Sequence, residues 1–538
     1  MKLFSLSLTR PSLILLVSFF IILFDNVALM RALLGSYPLT PGNIAFLVSL
    51  LILLVCLLAL LLNLVSTKFT TKPVLMTVLL IAAVIAYFMN TYNIMIDETM
   101  IQNTLETNPA EASDLLTTRL LAYIVFLGVL PASFVYSINI VQRGFYKELK
   151  FSLLNSLAYS ACSVLLVAVF SAHYATFFRE HKHLRLYINP LAGLYAAGHY
   201  ALLDNNPAAI TLEPIGLDAA IPQTDTDREL IILVIGETAR ADHFSLNGYE
   251  KETNPLLKQE NIINFSNVYS CGTTTAVSVP CMFSRLSRHD YSDSIAKSTE
   301  NILDILKRAG VNILWRDNNS DSKSVALRET FEDYKSPAVN TICDPECRDE
   351  GMLVGLDDYI DSHPTGDILI ILHAMGSHGP AYYKRYPEAF EKFVPVCKTN
   401  QLEDCTTEEI ANTYDNTILY TDYFLSRVIH FLKQHDDRFE AAMLYMSDHG
   451  ESLGESGMYL HGMPYFIAPD AQTRVPAIAW FSDSFDIDTQ ALREKSDREF
   501  SHDHLFHTLL GSMEVETSVY DKQLDLLAGE WNPKLSIK

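Results

Sequence analysis

Residues 230–240 read LIILVIGETAR: the apolar run Leu230-Ile231-Ile232-Leu233-Val234-Ile235 passes straight into Gly236, Glu237, Thr238, Ala239 and Arg240. A strand with one wet face alternates apolar and polar residues, so an unbroken apolar run fits a strand buried on both faces of a parallel sheet. Comparable runs recur at 311–315, 367–372, 441–446 and 475–480, and helix-compatible stretches at 300–309 and 412–434 alternate with them. This order predicts an α/β domain over residues 229–538 with a mostly parallel sheet wound on both faces.

Chemistry in such sheets gathers just past the carboxyl ends of strands. Glu237 follows the first run, and the run ending at Met446 leads into Ser447-Asp448-His449-Gly450-Glu451-Ser452. Carboxylate oxygen and imidazole nitrogen together suit zinc or a similar divalent ion. A third element, Ser270-Cys271-Gly272-Thr273-Thr274-Thr275-Ala276-Val277-Ser278-Val279-Pro280-Cys281, sets small hydroxyl residues ahead of a helix-like start whose free N–H groups would receive a phosphate. A threonine hydroxyl becomes a useful nucleophile when a metal or base lowers its pKa. The residues alone do not choose among Thr273, Thr274 and Thr275.

Outside this domain the composition changes. Of the 538 residues, 49% are hydrophobic and 19% charged, and the formal charge is 40 − 63 = −23. Residues 1–180 hold 10 Lys/Arg against 8 Asp/Glu, leaving 30 against 55, so the first third is near neutral and the remainder carries −25. Such a balance excludes nucleic-acid binding, which needs concentrated positive charge. Five apolar runs, at 11–33, 43–65, 73–89, 119–142 and 152–178, approach the roughly 20 residues that cross a bilayer. They predict a helical five-span membrane domain over residues 1–180. Lys2 and Arg10, Lys68 and Lys72, and Arg143, Lys147 and Lys150 mark the cytoplasmic segments. The acidic remainder then emerges on the opposite face, after a Tyr- and Pro-containing bridging segment, residues 181–228, that fits the membrane surface.

Asp25-Asn26 interrupts the first span, and ionisable groups at such depth are either functional or part of helix packing. Between the third and fourth spans, the polar stretch 90–118 is helix-compatible, and Asn103, Thr107 and Glu111 recur every four residues, on one helical face. By pattern alone this is a solvated helix. Of eight cysteines, Cys56 and Cys162 fall in spans; the other six come as close pairs, Cys271 with Cys281, Cys343 with Cys347 and Cys397 with Cys405. An even count in the exported part reads as three short-loop disulfides rather than a zinc knuckle, for which the spacings are irregular. His502, His504 and His507 read as a helix start and its first turns, not as ligands.

The strings LVIGETARADHFSLNGY, SCGTTTAVSVPCMFS, LWRDNNSDSK, HAMGSHGPAYYKRYP and MLYMSDHGESLGE followed by YLHGMP resemble the phosphoethanolamine transferases of Gram-negative bacteria that modify lipid A, the mobile colistin-resistance enzymes among them. The resemblance covers essentially the whole chain and implies a sulfatase-like catalytic domain of the alkaline phosphatase superfamily on a five-span anchor. It implies Thr275 as nucleophile, sharing one tightly bound zinc with Glu237, Asp448 and His449, with room for a second zinc during turnover. Lys323, His378 and His461 would contact the phosphoethanolamine group, and Asn103, Thr107 and Glu111 the substrate head group. The family commonly has Ser where this chain has Thr274. Phosphatidylethanolamine is the implied donor and lipid A the acceptor, a core sugar being the competing acceptor. The enzyme would be a monomer in the bacterial inner membrane with its catalytic domain in the periplasm, lowering the affinity of the surface for polymyxins.

Overall fold

A computed structural model describes residues 6–107, 109–204 and 212–529, the side chains at 110, 111, 203 and 204 excepted. The chain forms two compact units, Met1–Ile101 with Leu116–Asn206, and Gln102–Leu115 with Pro207–Lys538. The segment 181–228 is therefore divided: the turn Lys182–Tyr187 and the helix Leu191–Asp204 lie in the first unit, whereas Glu213 and Ala220 bridge to Thr299 and Glu516 in the second.

Among the described residues of the first unit, four helices are long and apolar enough to cross a bilayer: Pro41–Val65, Thr71–Tyr92, Thr118–Ser137 and Phe145–Val169. The pair Arg10–Phe24 and Val27–Ser36 makes a fifth if counted as one span, bent by 59°. The bend falls at Asp25-Asn26 and is held by a buried amide network. Asn26 Nδ2 donates to the carbonyls of Ile21 and Asn189, Asn26 Oδ1 accepts from Asn189 N, and Asn189 Nδ2 donates to the carbonyls of Asp25 and Ala82. Backbone groups freed by the break are thus satisfied away from water, a packing role for Asn26. The last run starts earlier than its hydropathy suggests and breaks at Phe170, a second helix, Ser171–Glu180, following.

The polar stretch 90–118 is two helices, Glu98–Glu106 and Pro109–Asp114, not one. Proline suits a helix's first position, and Pro109 opens the second of them. Thr107 lies past the end of the first helix, its Oγ1 donating to Asn103 O at 2.7 Å. The side chain of Glu111 lies outside the described residues.

The second unit is built on eight strands: β1 Glu229–Gly236, β2 Ile263–Tyr269, β3 Asn312–Asp317, β4 Thr330–Asp333, β5 Ile368–His373, β6 Glu440–Ser447, β7 Arg474–Phe481 and β8 Phe500–Ser501. Their spatial order is β8-β2-β7-β6-β1-β5-β3-β4. All pairings are parallel except those of β7, antiparallel to both β2 and β6. Successive side chains of a strand point to opposite faces, and β1 shows what its apolar run encodes. Ile231, Leu233 and Ile235 join the core under the helices Thr275–Met282, Ile302–Ala309 and Leu505–Ser512; Leu230, Ile232 and Val234 join the core under Thr407–Leu432. Burying both rows removes apolar surface worth about 25 cal/mol per Å² from water.

Candidate metal and phosphoryl-transfer site

Register brings the strand ends together. Gly236 pairs with Ser447 across β1 and β6, and Ile235 with His373 across β1 and β5, so Glu237, Asp448 and Ala374 leave the sheet side by side. The chains stay tied beyond the strands: Asp448 N donates to Gly236 O at 2.9 Å and Ser377 N to Glu237 O at 3.0 Å. Gly376 is required here, since at its φ of +52° a Cβ would stand 2.7 Å from Glu237 O.

Glu237, Asp448 and His449 are fully enclosed, and one ligand atom from each lies within 4.8 Å of the others. Glu237 Oε2 accepts from Asn319 Nδ2 at 2.7 Å and from Thr275 Oγ1 at 3.1 Å, while its Oε1 accepts from Thr238 Oγ1. Asp448 Oδ1 accepts from the N–H groups of Thr238 and His449 at 3.1 and 2.7 Å, leaving Oδ2 buried and without a partner. His449 Nδ1 donates to Gly450 O at 2.9 Å, which leaves the lone pair on Nε2, 3.3 Å from Asp448 Oδ2 and 3.5 Å from Glu237 Oε1. Two carboxylates and an imidazole nitrogen converging on an orphaned oxygen fit a divalent ion of the zinc class. The electrostatics agree. Burial and the neighbouring Glu237 push Asp448 up to about 7. Burial also opposes ionisation of Glu237, but His449, His378 and His461 outweigh it and hold that carboxyl well below its ordinary range.

Thr275 is the first residue of the helix Thr275–Met282, in the 270–281 loop closed by the Cys271–Cys281 disulfide. The structure separates the three threonines. Thr273 Oγ1 is turned away to Met463 O and Thr274 Oγ1 is buried without a partner, whereas Thr275 Oγ1 reaches Glu237 and stands 3.4 Å from His449 Nε2. The loop is braced internally by Gly272 N donating to Ser278 Oγ at 3.0 Å and Ser270 Oγ to Gly272 O at 2.6 Å. Bridges Cys343–Cys347 and Cys397–Cys405 are also formed, and Cys56 and Cys162 are free thiols.

His461 and His378 line the same centre, their ring centroids 5.7 Å apart and that of His461 4.4 Å from His449. His461 Nδ1 meets Glu451 Oε2 at 3.2 Å, and burial pushes the Glu451 carboxyl up to about 8. Lys323, at a φ of +50°, holds its Nζ against Glu106, 3.3 Å from the carbonyl and 3.9 Å from Oε2. Asp114, at the end of the next helix, pairs with Lys384 and with Arg385 at 2.9 Å, and Arg385 Nε donates to His378 O at 2.7 Å. The segment 102–115 is so bound to the loop carrying His378.

Three contributors were missed by sequence reasoning. Asn319 lies in the quoted LWRDNNSDSK string and donates to both Glu237 Oε2 and Ala374 O. Thr238 adopts φ +57°, unusual for a β-branched residue. His502, 1% exposed, accepts from Cys271 N at Nδ1 (3.0 Å) and donates from Nε2 to Ser447 O (2.9 Å), bridging the Thr275 loop to the Asp448 loop. Both of its ring nitrogens are engaged in these hydrogen bonds, and the helix start expected there is present as His502–His504 leading into Leu505–Ser512.

Two family models match the chain: one described as phosphoethanolamine transferase EptA/EptB, over residues 54–204, and one described as sulfatase, over residues 229–515. The phosphatidylethanolamine transferase Mcr-1 of Escherichia coli is 46% identical over 456 residues, covering 82% of this chain and 83% of that protein. The phosphoethanolamine transferase EptA of Escherichia coli strain K12 is 39% identical over 536 residues, covering 97% and 98%. Among solved structures, the integral membrane lipooligosaccharide phosphoethanolamine transferase A of Neisseria meningitidis superposes with a TM-score of 0.93 at 36% identity, covering 98% of this chain and all of the other.

Proposed function

The chain belongs to the phosphoethanolamine transferase family, with a sulfatase-like soluble domain, and on that premise we propose that it moves phosphoethanolamine from phosphatidylethanolamine to a phosphate of lipid A through a covalent intermediate on Thr275. The observation that carries the reading is the direction of the Thr275 hydroxyl, at a helix N-terminus and aimed into the buried Glu237, Asp448 and His449 set. A zinc ion held by those three residues and Thr275 would lower the pKa of the hydroxyl and offset phosphoryl charge.

Thr275 Oγ1 attacks the donor phosphorus, the bond from phosphorus to the diacylglycerol oxygen breaks, and Thr275 carries the phosphoethanolamine group. His461, whose ring lies beside His449, and His378, whose ring lies beside that of His461, protonate the departing oxygen in this reading. Lys323 supplies positive charge to the phosphate once its Nζ leaves Glu106, and Asn103, Thr107 and Glu111 hold the head group. A phosphate oxygen of lipid A then attacks the same phosphorus, and Thr275 Oγ1 leaves and regains its proton. Asn319 and Thr238 keep Glu237 oriented throughout.

Transfer needs the acceptor to outcompete water, and apolar helices that keep the enzyme in the bilayer with both lipids raise their local concentration. Three disulfides and the Lys/Arg distribution support an inner-membrane enzyme whose second unit faces the oxidising periplasm. One chain carries the whole residue set, which supports a monomer. Capping an anionic phosphate with an ammonium group lowers the affinity of cationic polymyxins. The test is the mass spectrum of lipid A from a sensitive Gram-negative host expressing this chain or Thr275→Ala. A phosphoethanolamine adduct present only with the parent is expected. An adduct with both excludes Thr275 as nucleophile, and an adduct with neither, from folded and metal-loaded protein, excludes lipid A as acceptor.

A further inference from the structure

The amino ends of the same strands hold a second set of converging carboxylates. Glu229 opens β1, Asp367 immediately precedes β5, and Asp225 follows the turn from Pro222 that leads into β1. One carboxylate oxygen from each lies within 4.8 Å of the others. Glu229 and Asp367 are 2% and 3% exposed. Asp367 Oδ1 accepts from Glu229 N at 3.2 Å, but Glu229 Oε2 and Asp367 Oδ2 are buried and no donor reaches them; with both groups ionised they have no partner, and the one bond open to them is to each other through a shared proton. Two enclosed, unpartnered carboxylate oxygens in one cluster are a different observation from acidity alone, because buried polar atoms are satisfied almost everywhere in folded proteins.

The surroundings add negative charge. Glu440 is paired with Glu229 across β6 and β1 and accepts from Asp486 N, and Glu514 adds electrostatic repulsion to Glu229. Arg228, the adjacent cation, commits its guanidinium to the carbonyls of His363 and Gly366 and lies 4.5 Å above the Phe439 ring.

We propose that Asp225, Glu229 and Asp367 form a second divalent-cation site, of the hard, oxygen-ligated class filled by Ca²⁺ or Mg²⁺, at the end of the sheet opposite the transfer site. Three carboxylates with no nitrogen or sulfur donor select such ions over zinc. A bound cation neutralises the enclosed acids and ties the turn before β1 to the start of β5. The competing occupant is a proton shared between Glu229 and Asp367. This site is independent of the transfer reading: it shares no residue with it.

The test uses the full chain in detergent with its transfer-site metal retained, titrated with Ca²⁺ by equilibrium dialysis and, in parallel, by thermal unfolding. One Ca²⁺ per chain is expected, with a Kd of about 10⁻⁵ to 10⁻³ M near pH 7, and a melting temperature that rises with Ca²⁺ concentration. Asp225→Asn, at a partly exposed position outside the sheet, weakens binding by at least about tenfold as one charged ligand is lost and flattens the thermal response while transfer activity stays at the parent level. Glu229→Gln removes Ca²⁺ binding yet melts no lower than the Ca²⁺-free parent, because the amide relieves repulsion. The proposal is overturned if the parent binds neither Ca²⁺ nor Mg²⁺ up to about 10 mM, tenfold above the weakest extracellular calcium modules, or if both variants bind Ca²⁺ as the parent does.

Discussion

Replacing His502 by alanine separates two loops that sequence places far apart. The imidazole accepts from Cys271 N and donates to Ser447 O, so its loss strands one buried N–H and one buried C=O. Each orphaned group costs about 1–3 kcal/mol, and the void left by the ring adds to both. A total near 4 kcal/mol lowers the melting temperature of a domain of this size by roughly 6 °C. Two conservative variants divide the effect: His502→Asn keeps an acceptor near Nδ1 and His502→Gln a donor near Nε2, and each recovers about half. Because Ser447 leads directly into Asp448 and His449, zinc affinity of the full chain, read by competition with a chelator, falls about 10- to 100-fold in the alanine variant, as for other groups that orient metal ligands. The ring also gives stability an acid limb. Burial holds His502 neutral, its pKa brought down to about 3 from about 6.5 in the unfolded chain. Its contribution is complete above pH 6.5 and is lost as pH falls toward 3, by up to about 5 kcal/mol; the alanine variant lacks this component. Unchanged melting temperature and zinc affinity in His502→Ala refute the bridge, and Asn and Gln variants no better than Ala refute the assignment of its two hydrogen bonds.

Glu237→Ala is expected to abolish both zinc occupancy, read by elemental mass spectrometry, and transfer; retained transfer sinks the metal assignment. Asn319→Ala, which frees Glu237 Oε2 from its amide partner, should keep the fold and weaken zinc about 10- to 100-fold, with equal affinity as the contrary result. Reducing the three bridges, which join cysteines 10, 4 and 8 residues apart, should destabilise the second unit by about 2–3 kcal/mol per bridge on the loop-entropy model; a melting curve indifferent to reductant would contradict it. Asp114→Ala leaves the buried Arg385 with Glu346 as its one remaining carboxylate among the described residues and should cost about 3 kcal/mol, making the 102–115 segment the first point of limited proteolysis. Equal protease resistance of parent and variant would show that the ion pairs do not hold it.

What was legible in the sequence follows from what is encoded locally. A strand buried on both faces is apolar along most of its length, so the five central strands were readable as predominantly apolar runs, each within a residue of its observed start. The edge strands β4 and β8 and the inner strand β2 were not, because their burial is mixed or they are only two to four residues long. Nor was the reversal of β7, since an antiparallel strand between β2 and β6 has the same apolar composition as a parallel one. Glu237, Asp448 and His449 are each weak signals alone, since an Asp-His pair after a strand is commonly an ordinary turn; they gained weight from their place past two strand ends, from the threonine loop and from the family resemblance. The family resemblance singled out Thr275, but the residues alone left Thr273 and Thr274 open, because which hydroxyl faces Glu237 depends on the turn of a loop that no spacing records. His502 and Asn319 were illegible for a further reason: their partners lie 231, 55 and 82 residues away in the chain. A residue that holds a ligand in place carries no motif of its own, so the orienting shell of a metal site is read only after the sheet has brought the strand ends together.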